Sequence, residues 1–287
     1  MEIAIISGKG GTGKSTVCAA FISVAQSAIA VDCDVDASNL YLIFSPSCDE
    51  EHVFVSGNHA VIDPELCMNC GLCMSYCRFD AISSVNGLIH ISEVACDGCF
   101  LCSRICPVSA IRMIPANKSR MYAGSFRYGK MVYGRLAPGE ENSGRLVSVL
   151  RNKATEYAKN FGYKTVILDG PPGIGCSVIS TITGVDKVVI VTEPTISGLL
   201  DMERSYEFTS KSSSQIYVII NKYDLNIDMT HIIENWCQEH GVPVVALLPY
   251  DEYVVAAMVA GKTLVEYNED SNITKLIRSA YNYILQN

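Results

Sequence analysis

Two cysteine-rich runs constrain the fold of this chain more than any other feature. Both have the pattern C-x2-C-x2-C-x3-C, with their cysteines at Cys67, Cys70, Cys73, Cys77 and at Cys96, Cys99, Cys102, Cys106. An Ala-Ile pair follows each run at the same distance, so a short unit is duplicated. Soft thiolate ligands favour iron–sulfur clusters or zinc. Since so short a unit has little core of its own, we expect bound metal to hold it together.

Structural zinc and a disulfide framework are the alternatives for these cysteines. Zinc sites usually take two cysteines from each of two knuckles, which leaves the third cysteine of each run unexplained. Disulfide frameworks are typical of short secreted chains. This chain has 287 residues and opens with the strand-like run Glu2–Ile6 rather than a secretory leader. The spacing therefore favours iron–sulfur clusters over both alternatives.

The doubled spacing resembles that of the bacterial two-cluster ferredoxins. In those proteins three cysteines of one run hold a [4Fe–4S] cluster, and the fourth is a ligand of the other cluster. The resemblance implies two [4Fe–4S] clusters, the first held by Cys67, Cys70, Cys73 and Cys106 and the second by Cys77, Cys96, Cys99 and Cys102. One position departs from the repeat, since Arg78 follows Cys77 where Pro107 follows Cys106.

The composition limits the class of protein. Apolar residues make up 49% of the chain, enough for a large core. The formal charge of −8 argues against nucleic acid as a partner. No apolar run approaches the roughly 18 residues that span a bilayer. The apolar stretch Ile273–Leu285 lacks a basic face, which favours a packed helix over a membrane-binding one. We expect a cytoplasmic protein without stable membrane insertion.

The N-terminal region carries the pattern of a phosphate-binding loop. An apolar run at Ile3–Ile6 leads into a glycine-rich loop, and a helix-like stretch, 17–26, follows; the loop matches G-x4-G-K-S/T. In such a loop, backbone N–H groups close around phosphate oxygens at a helix N-terminus. Lys14 should reach the β- and γ-phosphates, and the Ser15 hydroxyl should bind Mg²⁺. The predicted nucleotide-binding residues are Gly10, Gly11, Thr12, Gly13, Lys14, Ser15 and Thr16.

Further apolar runs end in polar residues along the rest of the chain. They are 28–31 before Asp32, 165–168 before Asp169, 187–191 before Thr192, and 216–220 before Asn221. Apolar strands that alternate with helical stretches predict an α/β fold, a mostly parallel sheet with helices on both faces. Ligands of such sheets bind at the carboxyl ends of the strands, where these polar residues fall.

The motifs together resemble the MinD/Mrp-type and nitrogenase-iron-protein-type P-loop ATPases. The resemblance rests on Lys9 in the sequence KGGTGKST (the deviant Walker A pattern), on the acidic stretch around Asp34, on D-x-x-P-G from Asp169, and on N-K-x-D from Asn221. With the cysteine runs, the chain resembles MinD-superfamily ATPases that carry an inserted ferredoxin domain. We place an ATPase domain at residues 1–57 and 116–287, and an inserted α+β ferredoxin-like domain at residues 58–115.

The resemblance implies ATP and Mg²⁺ as further cofactors and assigns roles to the residues near the phosphates. Lys9 would cross a two-fold interface to the nucleotide of a partner subunit, either a second copy or a similar paralogue. Lys14 would bind the phosphates, and Asp34 would orient the attacking water, a positioning task that dominates phosphoryl transfer. Asp32 and Asp36 are lesser candidates for this catalytic role.

Four more residues receive roles from the same resemblance. Asp169 would hold a magnesium-bound water, and Gly173 would sense the γ-phosphate. Asn221 would meet the adenine edge, and Asp224 would steady that loop. Cys176 lies where nitrogenase-iron-protein relatives have a cluster ligand. Because their second ligand position is Asn142 here, we expect Cys176 to be a small buried residue instead.

Three functions fit this combination of motifs. The first is an ATPase, slow without its partner, whose ATP-dependent dimer gates electron transfer to a redox partner. The second is an ATP-dependent carrier that delivers an iron–sulfur or mixed-metal cluster to an acceptor protein, although the C-terminal C-x-x-C of the Mrp-type relatives is missing. The third is a MinD-like positioning ATPase with purely structural clusters, although a basic amphipathic tail is missing.

Overall fold

The computed structural model describes all 287 residues, which form two compact units. The large unit comprises Met1–Glu51, Met121–Gly134 and Ser143–Asn287, and the small unit comprises His52–Arg120 and Arg135–Asn142. The small unit therefore extends beyond residues 58–115 at both ends. It also includes the second segment, 135–142, because hydrogen bonds such as that from the Ser119 N–H to the Glu140 carboxylate tie this segment to it.

The elements alternate along the chain. The thirteen strands are β1 Glu2–Ser7, β2 Ala28–Asp32, β3 Glu50–Phe54, β4 Gly57–Ile62, β5 Ile82–Val85, β6 Leu88–Ile91, β7 Ile111–Ala116, β8 Ser119–Phe126, β9 Gly129–Arg135, β10 Val166–Pro172, β11 Lys187–Thr192, β12 Gln215–Asn221 and β13 Val244–Leu248. The eleven α-helices are α1 Lys14–Ala25, α2 Leu40–Phe44, α3 Leu72–Tyr76, α4 Leu101–Ile105, α5 Ser143–Phe161, α6 Cys176–Ile182, α7 Ile196–Thr209, α8 Ile227–Glu239, α9 Tyr253–Val259, α10 Leu264–Tyr267 and α11 Asn272–Gln286.

Nine strands form one sheet in the order β13-β12-β11-β1-β10-β2-β9-β8-β3. From β13 to β9 every neighbouring pair is parallel. The central strands are buried along their length, as Ile3–Ile6 of β1 and Val188–Val191 of β11 show. Burial of this kind is expected where helices cover both faces of a parallel sheet. The predicted fold class is therefore confirmed.

Two helices of the large unit show how the sequence determines where a helix begins and which face it buries. Helix α1 begins at Lys14 because Gly13, at φ +87°, turns the backbone and leaves the first N–H groups of the helix facing the loop. Helix α11 buries Ile273, Ile277 and Ile284 along one face in the core. The C-terminal stretch is thus the packed helix that its pattern predicts. No helix of the chain has the length and apolar character needed to cross a membrane.

The small unit consists of two strand–helix–strand repeats, β4-α3-β5 and β6-α4-β7. Strand β4 pairs antiparallel with β7, and β5 pairs antiparallel with β6, so the two halves exchange strands. The repeat extends to the backbone, which is left-handed at three matching pairs of positions. These pairs are Asn69 and Gly98, Gly71 and Phe100, and Asp80 and Ser109. Since left-handed backbone disfavours most L-residues, its repetition indicates that both cysteine runs must curve in the same way.

Candidate functional site

The glycine-rich loop, the start of α1 and the loop after β13 enclose a cavity of about 530 Å³. That volume lies within the range of small-ligand sites. All seven residues predicted to bind the nucleotide line the cavity, and Asp34 and Asn221 line it too. Gly13 must be glycine, since a Cβ there would lie 2.3 Å from the Asn221 side-chain nitrogen. The Thr12 hydroxyl is buried without a hydrogen-bond partner, as expected of a group whose partner is a bound phosphate.

Lys14 and Asp169 form a buried ion pair beside the loop. The Lys14 Nζ lies 2.6 Å from Asp169 Oδ1 and 3.2 Å from the Ser15 hydroxyl. Burial lowers the pKa of Lys14, but the carboxylates of Asp169, Asp34 and Asp32 outweigh it and hold that pKa above its usual value. Lys14 is therefore a fixed cation, close to the hydroxyl that we predict to bind Mg²⁺.

The acidic residues after β2 have three different environments. Asp32 is fully buried, and its carboxylate accepts hydrogen bonds from the Ser38 hydroxyl and the Asn39 and Leu40 N–H groups. Burial and the nearby Asp169 carboxylate raise the pKa of Asp32 to about 7. Asp34 is half-buried and lines the cavity, whereas Asp36 is exposed. Asp32 thus anchors the loop, and Asp34 has the access to the cavity that a water-orienting carboxylate needs.

Lys9 contacts residues of its own chain. Its Nζ lies 3.3 Å from the hydroxyls of Thr195 and Ser197 and 3.4 Å from the Glu193 carboxylate. Glu193 also binds the Lys222 Nζ at 2.5 Å. The sequence motifs do not identify Glu193 and Ser197 as contacts of Lys9. The role of Lys9 across a subunit interface stays a prediction. In the single chain the Glu193 carboxylate holds this lysine.

The remaining predicted residues support the loop. The Asn221 Nδ2 donates to the Thr12 carbonyl at 2.8 Å, and the Asp224 carboxylate accepts the Tyr250 N–H at 2.7 Å. Gly173, at φ +90°, donates its N–H to the Ser7 carbonyl at the end of β1. The contacts of Asn221 with adenine and of Gly173 with the γ-phosphate stay predictions. The apolar wall from α9 was not expected, although Val254, Val255 and Met258 follow helical spacing.

The cysteines of the small unit line two separate cavities. The first is lined by Cys67, Cys70, Cys73 and Cys106, and the second by Cys77, Cys96, Cys99 and Cys102 together with Cys73. Each cavity thus contains the four cysteines that the ferredoxin resemblance groups together, including the exchanged fourth cysteine, and their roles as cluster ligands stay predictions. No three His, Cys, Asp or Glu side chains of the chain are arranged to hold a single metal ion.

The chemistry of both cavities fits iron–sulfur clusters. Burial and neighbouring thiols raise the pKa of Cys73 and Cys102, so the thiolate form is disfavoured without metal. Bound iron would reverse this preference because it stabilises the thiolate. Backbone N–H groups are already directed at sulfur. The Ala110 N–H lies 3.3 Å from Cys106 Sγ, and the Ala60 N–H lies 3.4 Å from Cys96 Sγ. Such hydrogen bonds tune the potential of a bound cluster.

The other five cysteines show no comparable grouping. Cys18, Cys33 and Cys237 are buried, and Cys48 is exposed. Cys176 is exposed as well, so the expectation of a buried residue was wrong. The reason is its position as the first residue of α6, directly after the exposed residues 174 and 175.

Comparisons with known proteins place this chain in a family of nucleotide-binding domains. The family model CbiA, the CobQ/CobB/MinD/ParA nucleotide binding domain, matches residues 3–265. The uncharacterized protein MJ0578 of Methanocaldococcus jannaschii is 32% identical, covering 98% of this chain and 95% of its own length. The septum site-determining protein MinD of Pyrococcus horikoshii, solved with Mg-ADP, superposes with a TM-score of 0.61 at 18% identity, covering 99% of this chain and 95% of that one.

A further relative matches only part of the chain. A ferredoxin of Pyrobaculum islandicum is 32% identical over 88 residues, which are 29% of this chain and 77% of that protein. The share of each chain that is covered indicates that the similarity concerns one part of this protein and most of the ferredoxin. The comparisons thus relate the chain to nucleotide-binding proteins over most of its length and to an iron–sulfur protein over a limited stretch.

Proposed function

The chain belongs to the CobQ/CobB/MinD/ParA family of nucleotide-binding proteins, and from this premise we propose that it is an ATPase that gates electron transfer. ATP would close a dimer, and two [4Fe–4S] clusters in the small unit would pass electrons to a partner protein. The observation that carries the proposal is the presence, in one chain, of a phosphate-binding cavity and two four-thiol cavities.

The residues of the large unit fit ATP hydrolysis. Mg-ADP in the MinD of Pyrococcus horikoshii supports ATP and Mg²⁺ as ligands here. Lys14 would exchange its contact with Asp169 for the phosphates, which frees that carboxylate to hold a magnesium-bound water. Ser15 would complete the magnesium site, and Asp34 would orient the attacking water. Each step requires only side chains that line the cavity or adjoin it.

Dimerisation would complete the nucleotide site. Lys9 lies at the surface beside the start of α7, next to Ile196, whose side chain is 69% exposed. Leu200 on the same helix and Ile174 and Ile179 at α6 are also exposed. Apolar side chains left in water near a site favour association with a partner surface. We propose that the partner is a second copy or a similar paralogue, and that Lys9 leaves Glu193 for the partner's nucleotide.

The small unit would hold the clusters and limit their access to water. A bound [4Fe–4S] cluster supplies one-electron transfer at low potential. Cys73 lines both thiol cavities, so the two proposed sets of ligands would lie side by side for electron exchange. Cys70 and Cys99 are the exposed ligands, one in each set, and mark where each cavity faces solvent. Electrons would enter or leave at these positions.

The test is anaerobic purification followed by iron and sulfide analysis and an electron-transfer assay. We expect about eight iron atoms per chain and reduction of a low-potential dye that Mg-ATP accelerates. Zinc or no metal on the thiols would overturn the iron–sulfur part. A rate indifferent to Mg-ATP would overturn the gating part. Transfer of a whole cluster to an apo-acceptor during turnover would instead support the carrier function.

A further inference from the structure

Residues 135–142, here called the return segment, are fastened within the small unit. The Glu140 carboxylate accepts the Lys118 N–H at 2.7 Å and the Ser119 N–H at 2.9 Å, and it also accepts the Ser119 hydroxyl. Burial raises the pKa of Glu140, but these hydrogen bonds outweigh it and hold the pKa below its usual value. The return segment is therefore fixed to Lys118 and Ser119, at the start of β8, by a charged group with several partners.

The return segment also lies against the loop that carries Cys96. A Cβ on Gly139, whose φ is +78°, would lie 2.5 Å from the Val94 carbonyl oxygen, so the two backbones are in direct contact. Asn142 donates its side-chain N–H to the Ser56 carbonyl. Five residues of the return segment line a polar cavity together with Cys96, the only cysteine in that cavity. Movement of the return segment would therefore reach Cys96 before any other proposed ligand.

At its other end the return segment continues directly into α5, which packs on α6 in the large unit. A Cβ on Gly144 would lie 3.0 Å from the Cys176 carbonyl oxygen, so the helices touch without a side chain between them. The Arg151 guanidinium donates to the Ser180 carbonyl at 2.8 Å and holds the two helices together further along. Helix α6 begins three residues after Gly173, the residue expected to sense the γ-phosphate. Because contact is so close, displacement of α6 must displace the start of α5.

We propose that Gly144 and Asn142 are positioning residues that transmit nucleotide binding from α6 through the return segment to the loop of Cys96. The inference rests on the proposed function and adds which cluster responds. The midpoint potential of the second cluster changes when nucleotide binds, and that of the first cluster changes much less. The second cluster is the one held by Cys77, Cys96, Cys99 and Cys102. Between the units the path follows the covalent chain from α5 into the return segment. The contact of Gly144 with α6 lies within the large unit, and the contact of Gly139 with Val94 lies within the small unit.

The test compares Asn142→Gly with Asn86→Gly in the full-length, cluster-loaded protein. Both asparagines have left-handed backbone, with φ +70° and +54°, which glycine adopts without strain. Only the first change removes the hydrogen bond to Ser56. Hydrogen exchange at amides 93–97 and the midpoint potential of each cluster are measured with and without a non-hydrolysable Mg-ATP analogue. Variants of Cys70 and Cys99 assign the two potentials.

We expect the analogue to change exchange at 93–97 by about fivefold or more in the wild type and in Asn86→Gly. In Asn142→Gly the change should fall to within about twofold, while binding of the analogue is kept. An equal response in Asn142→Gly, or a response centred on the first cluster, would overturn the inference. A wild type without any response would count against the proposed gating function instead.

A second pair of variants keeps the test decisive if Asn142→Gly does not load its clusters. Gly144→Ala places a methyl group against α6, whereas Gly57→Ala points into open space. We expect Gly144→Ala to reduce the response at 93–97 by about fivefold or more and Gly57→Ala to preserve it. A full response in Gly144→Ala would contradict the proposal.

Discussion

The two units build their sites in opposite ways. In the large unit the phosphate cavity is lined by the glycine-rich loop and by apolar side chains of α9, beside a sheet whose apolar core forms without a ligand. In the small unit one buried cluster comprises Ala60, Cys73, Ile82, Ile89 and Ile111, with five more cysteines packed around it. There the proposed ligands are also the core. Ligand removal should therefore leave the large unit folded and destabilise the small unit.

The largest expected effect is on the fold of the small unit. In Cys73→Ser, the first cluster should lose its iron, and amides in 57–116 should lose their protection from hydrogen exchange. The reason is that structural metal binding contributes on the order of 10 kcal/mol to folding. Amides of β10 and β11 should remain protected. Hydrogen exchange on anaerobic protein measures both regions at once.

Cys48→Ser is the matched control, since Cys48 is exposed and belongs to neither set. It should keep full iron content and wild-type exchange. If Cys73→Ser kept its protection in 57–116, the small unit would have a metal-independent core, and the contrast between the units would be lost.

The second effect concerns the ion pair of the large unit. Lys14→Ala should weaken Mg-ATP binding by about a hundredfold or more, because a charged phosphate contact of about 3 kcal/mol is removed. It should leave the iron content unchanged. Calorimetric titration of Mg-ATP gives the affinity, and Lys211→Ala, at an exposed lysine, is the control. Near wild-type affinity in Lys14→Ala would show that the cavity is not the nucleotide site.

Asp34→Asn separates binding from hydrolysis. Phosphate release should slow by about a hundredfold while Mg-ATP affinity changes by less than about threefold, because the lost carboxylate positions water rather than the nucleotide. Asp36→Asn, at the exposed neighbour, should keep the wild-type rate. If the two variants slowed release equally, Asp34 would have no special role in orienting water.

The smallest effect tests an ion pair that stabilises the large unit away from its site. The Glu266 carboxylate binds the Arg127 guanidinium and accepts the Tyr128 hydroxyl at 2.8 Å and the Thr263 N–H at 2.8 Å. Burial opposes its ionisation, but these contacts outweigh burial and lower the pKa of Glu266 to about 2. The ionised Glu266 carboxylate therefore stabilises the folded state fully above its ordinary pKa, and this stabilisation is lost as pH falls from about 4.5 towards 2.

Glu266→Gln should therefore lower the free energy of unfolding by about 1–2 kcal/mol at pH 7, after allowance for solvent screening, and by less near pH 3. Thermal unfolding followed by Trp236 fluorescence reports on the large unit, because the chain has one tryptophan and it lies in α8. Glu239→Gln, at an exposed glutamate, is the control. A difference that grew as pH fell would contradict the assigned role of Glu266.

The sequence predicted the parts of each site that depend on local spacing. Three cysteines within seven residues can reach one cavity, and a glycine-rich loop between a strand and a helix exposes its N–H groups. The apolar runs ending at Asp32 and Asp169 likewise predicted strands of a parallel sheet, although the pairing of these two residues across β2 and β10 is seen only in the structure.

Contacts between distant segments were beyond such reasoning. The return segment joins the small unit through Asn142 and Ser56, which are 86 residues apart, and no motif marks that pairing. The contact of Lys9 with Glu193 depends on how two loops meet after the sheet has formed. The exposure of Cys176 depends on where α6 begins, which the sequence of a short loop does not specify.

The central claim is that nucleotide binding in the large unit changes the clusters of the small unit. The most direct measurement is a redox titration followed by electron paramagnetic resonance, on anaerobic Asp34→Asn protein with and without Mg-ATP, so that the nucleotide persists. We predict a shift of at least about 30 mV in the midpoint potential of the second cluster, equivalent to about threefold in the one-electron equilibrium. Superimposable titration curves, with Mg-ATP shown to be bound, would contradict the account.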